Sequence, residues 1–338
     1  MNRNPFFLLA TCLIFISTSS FGQAQKQPLE VVFYNVENLY DTFDDPLIDD
    51  NEFLPDSANK WTMDRYQKKL VDLAKVLKVT SQDGLPEVIG LCEIENRRVV
   101  EELMATAPLN EAKWKVVHEE SPDKRGIDVA LAYNPARLKE LHHEKIRFSF
   151  DQDPETTTRD ILYVKLLSRK DTLHFFVNHW PSRRGGQGPS ESKRLKAANM
   201  LLGKTDSILA IHPKAKIIVM GDFNDYPNNR SMTEVLNCAP TSNGKLTNLT
   251  YSFHEQGFGT YNYKGEWGML DQFIVSNGLL SASKGYFTTP TTVAIVKEEW
   301  MLFKEEGKES APSKTYGGPN YYGGYSDHLP IRMTISVK

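Results

Sequence analysis

Apolar residues fall in short runs along this chain, and the runs share a way of ending. Ile217-Ile218-Val219-Met220 is closed by Gly221 and then by Asp222, Phe223, Asn224 and Asp225. A run of this kind, bounded by glycine, predicts a strand buried on both faces. Glu30 to Asn38 carries Val31-Val32-Phe33-Tyr34 and closes on Asn35 and Glu37; Val88 to Glu93 closes on Glu93; Leu173 to Trp180 runs through Phe175-Phe176-Val177 to Asn178-His179. In two later segments the polar residues come first, Asp271 ahead of Phe273-Ile274-Val275 and Asp327-His328 ahead of a final strand. If the extended conformation continues past Gly221, Asp222 and Asn224 project from one face and can share one small ligand. Ligands on α/β sheets bind at strand ends, which makes these positions functional rather than packing ones. Such groups converge only if their strands lie together in packed sheets.

The helical period appears elsewhere. Thr62 as N-cap, with Tyr66, Leu70, Leu73 and Leu77 behind it, predicts a helix that covers the sheet. A second helix runs through Val99, Val100 and Leu103, and Ser190 is expected to cap a long one from Glu191 to about Ile211, with Leu195, Leu202 and Leu209 as its stripe. A short helix is expected near Met232 to Leu236. Lys113 to Val117 and Ile127 to Tyr133 predict an antiparallel pair joined through Pro122 to Gly126. Asp128, between Ile127 and Val129, needs a partner because an unpaired buried carboxylate is costly, and His179 or Arg125 is the expected one. His118, His142 and His143 are expected at the surface. The acidic stretch Tyr40 to Lys60 is expected as a solvated loop at a cleft rim, and the Gly- and Tyr-rich stretch Pro312 to Tyr325 as a mobile lid or substrate rim.

Taken in order, Asn35, Glu93 in Cys-Glu-Ile-Glu-Asn, Asn178-His179-Trp180, Gly221-Asp222-Phe223-Asn224-Asp225, Leu270-Asp271-Gln272 and Ser326-Asp327-His328-Leu329-Pro330 carry a family pattern. They resemble the motifs of the endonuclease/exonuclease/phosphatase superfamily, which contains pancreatic-type deoxyribonucleases, apurinic-site endonucleases, bacterial sphingomyelinases and inositol-polyphosphate phosphatases. The resemblance runs from about Leu29 to Val337 and looks closest to the secreted bacterial nuclease-like branch. It implies an α/β fold, a four-layer sandwich of two mixed β-sheets packed face to face with helices on the outer faces. It implies catalytic roles for His179, Asp222, Asn224, Asp271 and His328, with Asn35, Glu93 and Asp327 around Mg²⁺ or Mn²⁺, or Ca²⁺ as an alternative. In that scheme Asp222 orients or deprotonates the attacking water and Asn224 donates to the phosphate. Asp271 fixes the tautomer of His328 and favours its imidazolium, while His179 stabilises the phosphate or protonates the leaving oxygen.

Arg159 sits where members often place a phosphate-contacting arginine. Arg183 and Arg184 beside Gly185, Gly186 and Gly188 predict a flexible basic loop able to reach a phosphate backbone. Tyr261, Tyr263 and Trp267 supply rings that can stack nucleobases. A nucleic acid, DNA or RNA, is therefore the expected partner, with a small phosphoester or a lipid phosphoester as the alternative.

Charge and the amino terminus change this picture in two ways. Arg3 precedes an apolar stretch, Pro5 to Ala10 and Leu13 to Ile16, followed by small residues up to Ala24. That pattern predicts a secretory signal peptide over residues 1–24, with a single domain over 25–338 that is secreted or periplasmic. The apolar run is shorter than the ~20 residues a membrane span needs, so no stable anchor is expected. The chain carries 40 Lys and Arg against 43 Asp and Glu. This balance weakens the case for tight non-specific nucleic-acid binding without excluding a hydrolase, expected as a monomer, that needs only local contacts. Cys92 is expected as a buried thiol, and a bridge to Cys238 is left open.

Overall fold

A computed structural model describes residues 27–147, 157–304 and 310–338, and the expected signal peptide lies outside them. Strands β1 (Leu29–Leu39) and β2 (Val88–Ile94) form a parallel pair, with Val31 opposite Val88 and Asn35 opposite Cys92. Antiparallel strands flank them. β19 (Ile331–Val337) lies on β1, and β4 (Asp128–Tyr133) lies on β2 with β3 (Lys115–His118) at its far edge. The short β13 (Tyr286–Phe287) and β14 (Val293–Ile295) pair with the other side of β19.

The second sheet repeats the plan. Its parallel centre is β7 (Asp171–His179) with β8 (Lys216–Asp222), flanked by β6 (Ile161–Ser168) and β5 (Lys139–Ile146) on one side and by β12 (Asp271–Ser276) and β9 (Leu246–Asn248) on the other. A parallel centre with antiparallel flanks has a direct consequence for function. The strands that end at one rim, β1, β2, β7 and β8, meet there the strands that begin, β4, β12 and β19. Smaller ribbons complete the set: β10 (Tyr261–Tyr263) with β11 (Glu266–Gly268), β15 (Leu302–Phe303) with β16 (Ala311–Pro312), and β17 (Tyr316–Gly317) with β18 (Asn320–Tyr321).

Alternation along each strand separates the layers. Val31, Phe33 and Leu131 of the first sheet interleave with Phe175, Val177, Ile218, Met220 and Phe273 of the second, all buried. The sheets come close at Gly90, where a Cβ would stand 2.6 Å from Met220 Cε. The intervening residues point outward. Val32, Tyr34, Ile89 and Leu91 meet helices α1 (Met63–Val79) and α2 (Arg97–Met104), while Phe176, Ile217, Val219 and Ile274 meet α3 (Gln187–Ile211). Helix, sheet, sheet and helix form the four layers. Burying one such side chain contributes ~1.5–3 kcal/mol, so three contiguous apolar layers account for the rigidity of the strand ends.

Several local expectations are corrected. Thr62 has the extended N-cap backbone, but its side chain makes no capping bond. Helix α3 begins at Gln187 rather than Glu191, and Ser190 lies inside its first turn, where its Oγ donates to Gly186 O at 2.7 Å. Its buried stripe is Arg194, Ala197, Ala198, Leu201, Thr205 and Leu209, because a period of 3.6 drifts away from leucines spaced by seven. Around Met232 the chain makes a π-type turn, Ser231–Val235. The stretch expected to be a mobile lid is packed instead. Tyr316 packs edge-to-face against Phe53 and at a tilt against Trp61, Arg65 lies 4.1 Å above the Tyr321 ring, and Lys69 Nζ donates to Thr315 Oγ1 at 2.6 Å and to Tyr325 O at 2.7 Å. The acidic stretch is only partly solvated, since Asp41 and Asp50 are buried. Cys92 and Cys238 are both buried and free.

Candidate active site

Strand ends from both sheets meet at Asn35. Its Nδ2 donates to Glu93 Oε1 at 3.3 Å and to Asp222 Oδ2 at 3.2 Å, so one amide joins the carboxylate of β2 to that of β8. Gly221 is what lets β7 and β8 run close enough, because a Cβ there would stand 2.4 Å from Asn178 O. Past it the extended conformation stops. Asn224 has φ 51°, in the left-handed region, so it does not share a face with Asp222 as an unbroken strand would require. Its backbone N–H donates to Asp222 Oδ1 at 2.9 Å and its Nδ2 to Trp180 O at 3.1 Å. Glu93 is left-handed too, at φ 60°, where β2 shifts register, and its Oε2 accepts from Asn38 N at 3.1 Å. Glu37 and Asn38 of β1 are left-handed as well, at φ 51° and 53°, so four non-glycine residues around one site carry local strain that the packed sheets sustain.

The two histidines are in opposite charge environments. His328 Nδ1 stands 2.7 Å from Asp271 Oδ2, and its Nε2 stands 3.9 Å from both Asp222 Oδ2 and Asp327 Oδ1. Burial alone would lower its pKa, but Asp271, the hydrogen bond to it, Asp327 and Asp222 together hold it well above the usual histidine value. Thr260 Oγ1 donates to the same Asp271 oxygen, and the Tyr261 ring lies 4.9 Å from the imidazole. His179 is held well below the usual value by burial and by the cations of Arg159, Arg125 and His328. Its Nε2 stands 3.8 Å from both Glu93 Oε1 and Asp222 Oδ2, and its Nδ1 has no hydrogen-bond partner among the described residues. Burial pushes Asp222 up to about 6, with His328 opposing and Asp271 adding to the rise.

Oxygen donors suited to a hard divalent cation are present. Asp222, Asp271 and His328 have ligand atoms within 4.8 Å of one another, but Asp271 and His328 use theirs on each other. The carboxylates left open to the cleft are Glu93, 18% exposed, and Asp327, 34% exposed. Burial and then the charge of Glu37, with Glu93 adding to it, push Asp327 up to about 7, a crowding that a cation would offset. Asn35 turns its Nδ2 toward the acids, while its Oδ1 accepts from Glu37 N at 3.0 Å, so in this arrangement it orients carboxylates.

The cleft in front of these groups has a volume of about 700 Å³, and its lining includes Arg125, Arg159, Arg183 and Arg184 together with Tyr226, Tyr261 and Tyr263. The three expected substrate arginines differ. Arg184 is exposed. Arg183 is pinned instead of flexible, with Nε donating to Asn224 O at 2.7 Å, Nη2 to Asn229 Oδ1 at 2.8 Å, and its guanidinium 4.0 Å above the Tyr226 ring. Arg159 is buried, with Nη2 donating to Trp180 O at 2.7 Å and Nη1 to Asp123 Oδ2 at 3.2 Å. Asp128 is not joined to His179 or Arg125. It stands 3.0 Å from Nε2 of His118 and accepts from Ser121 N at 2.9 Å, and His118 is buried rather than at the surface.

Residues the motifs did not single out also support the site. Lys69, 2% exposed, reaches Glu37 at 3.7 Å, and its charge opposes the rise of Asp327. Its signal was a lysine on the apolar face of α1, between Tyr66 and Leu73.

A family model described as Endonuclease/Exonuclease/phosphatase family matches residues 30–337. No curated protein sequence matches the chain. Among solved structures, TDP2 of D. rerio complexed with a single-strand DNA product is 17% identical, with 92% of this chain and 99% of that one covered at a TM-score of 0.57. The human Nocturnin catalytic domain with bound sulfate anion is 16% identical, with 92% and 95% covered at 0.53. A mannosyl-6-phosphatase of Bacteroides thetaiotaomicron is 14% identical, with 91% and 99% covered at 0.56. At these identities the likeness is one of fold.

Proposed function

The chain belongs to the endonuclease/exonuclease/phosphatase family, whose members are metal-dependent phosphoester hydrolases, and we propose from that premise that it is an exported nuclease cleaving phosphodiester bonds of DNA or RNA. The observation that carries the hydrolytic part is the pairing of His328 with Asp271 at 2.7 Å while Asp222 stands 3.9 Å from the same imidazole. This arrangement keeps an acid and a base beside one another in different protonation states, which is what phosphoester hydrolysis by water needs.

Asp222, a carboxylate near neutral pH, orients the attacking water and takes its proton. His328 remains an imidazolium because Asp271 faces its Nδ1, and it presents Nε2–H to a phosphate oxygen. His179 is neutral and serves as a hydrogen-bond donor rather than a cation. Asn224 adds an N–H without adding negative charge. When bound at Glu93 and Asp327, a divalent ion, Mg²⁺ or Mn²⁺ with Ca²⁺ as the alternative, supplies Lewis-acid polarisation of the phosphoryl oxygen.

Support for nucleic acid comes from the arginines and tyrosines that line the cleft. The TDP2 of similar fold is complexed with DNA. The leader pattern of residues 1–24 supports export, to the periplasm or beyond. A phosphatase for small phosphate esters is the second reading, favoured by the acidic balance of the chain and by the mannosyl-6-phosphatase of similar fold. Plasmid DNA, RNA and phosphomonoesters assayed with Mg²⁺, Mn²⁺, Ca²⁺ or EDTA separate the two. Metal-dependent nicking lost in His328→Ala upholds the nuclease. Phosphate release from monoesters with nucleic acid left intact replaces it with the phosphatase.

A further inference from the structure

The second sheet carries a pocket at its other end, away from the catalytic rim. His174 lies about 16 Å back along β7 from His179 at the rise of a strand. There α3 ends at Ile211, and the turn 212–215, closed by Ala215 N donating to His212 O at 2.8 Å, leads into β8. The space beside this turn has a volume of about 580 Å³, with Lys165, His174, His212, Lys214 and Lys216 in its lining and Asp171 as the single acid of that lining.

Strand register gathers these cations. Lys165 of β6 stands opposite His174 of β7, and His142 of β5 stands opposite Lys165, so three neighbouring strands put basic groups in one row on the face that α3 covers further up. Asp171 does not answer the row, because its Oδ2 already takes Lys216 Nζ at 2.8 Å and Tyr286 N at 2.7 Å. Lys165 and Lys214 have no ion-pair partner among the described residues. The C-terminus of α3 attracts a cation and accounts for His212, its C-cap residue. It accounts for neither Lys165 nor His174, which come from strands.

His174 is the most buried of the set, at 5% exposed. With the Tyr163 hydroxyl donating to Nδ1 at 2.7 Å, the ring proton sits on Nε2, which has no hydrogen-bond partner among the described residues. Burial and then the charges of Lys165, His212 and Lys204, all cations, hold the ring at about 4. Like charges gathered around a concave surface repel one another, and a bound anion relieves that repulsion.

We infer that this pocket is an anion-binding site separate from the catalytic cleft, which takes a small molecule carrying phosphate groups. Ammonium and imidazole donors suit a compact group with several charged acceptor oxygens, and a hollow of this size fits a small ligand. The inference does not depend on which phosphoester the cleft hydrolyses.

The test titrates the full chain with inorganic pyrophosphate in the presence of EDTA and follows each histidine ring by NMR. At saturation His174 should bind its proton about tenfold more tightly, the effect of one nearby anion. Lys165→Gln combined with Lys214→Gln should abolish that change and weaken pyrophosphate binding about tenfold by calorimetry, with thermal melts unchanged, while Lys165→Arg keeps both. A His174 ring that does not respond, or that responds equally in the double variant, overturns the site. A response confined to His328 puts the anion in the cleft and overturns it as well. The parent titration decides the question even where a variant melts early. A terminal phosphate on a strand is the other source of this chemistry, and a 5′-phosphorylated oligothymidylate that moves His174 where pyrophosphate does not overturns the small-molecule assignment.

Discussion

His328 Nδ1 and Asp271 Oδ2 stand 2.7 Å apart, the histidine just ahead of β19 in one sheet and the aspartate at the start of β12 in the other. The bond therefore spans the sandwich, and it sets the charge of the imidazole. Asp271→Asn replaces a carboxylate by a neutral amide of the same shape. The expected result is a kcat lowered by about 10²-fold or more with KM little changed, read by steady-state hydrolysis. A loss confined to KM would mean that Asp271 serves binding only.

The pH profile follows from the same groups. Asp222 works as its carboxylate and is held at about 6, so kcat/KM rises with pH up to that value. His328 works as imidazolium with its pKa held well above the ordinary histidine value, so activity falls only when pH passes that raised value. A bell is expected whose acid limb lies between about 6 and about 7, with Asp222 and Asp327 both contributing to it. In Asp222→Asn the residual activity loses the part of this limb near 6 and keeps the part near 7, and an unchanged limb would assign it to Asp327 alone.

Stability has its own pH dependence, at the end of the second sheet far from the cleft. His174 is buried, with Nδ1 2.7 Å from Tyr163 Oη, and burial lowers its pKa to about 4 from the ordinary 6.5. A depressed folded-state value means that the stabilising contribution is complete above about 6.5 and is lost as pH falls toward 4. Urea midpoints measured between these limits should decline in the parent chain. The decline should be shallower in His174→Gln, and identical slopes would refute the assignment.

Arg183 and Arg184 are adjacent in the chain and are expected to respond differently. Arg184→Ala should raise KM about tenfold for a nucleic-acid substrate and leave the unfolding midpoint unchanged. Arg183→Ala strips hydrogen bonds from Asn224 O and Asn229, and should lower stability by about 1–3 kcal/mol together with kcat. Thermal melts alongside kinetics distinguish the pair.

What the sequence disclosed depended on how local the cause was. Apolar runs closing on Asn35, Glu93, His179 and Asp222 announced strands and the polar ends that converge in the cleft, because burial on both faces leaves a plain signature. The left-handed turns at Glu93 and Asn224 were hidden, since the packing of both sheets and not the residue type imposes them. The partner of Asp128 was hidden as well. It depends on the β3–β4 register, which brings His118 within 3.0 Å, and pairing register is a property of two segments together. Arg183 and Arg184 read alike as neighbours, and only the positions of Asn224, Asn229 and Tyr226 separated a pinned guanidinium from an exposed one.

The place of β19 bears on how the sandwich forms. The strand inserts beside β1 and is followed outward by β13 and β14, while Ser326 Oγ donates to Asn35 O at 2.7 Å just before Asp327 and His328. The pairing of β1 with β19 joins segments separated by nearly the whole described chain, so the first sheet closes only after a long-range contact whose loop-closure entropy slows folding.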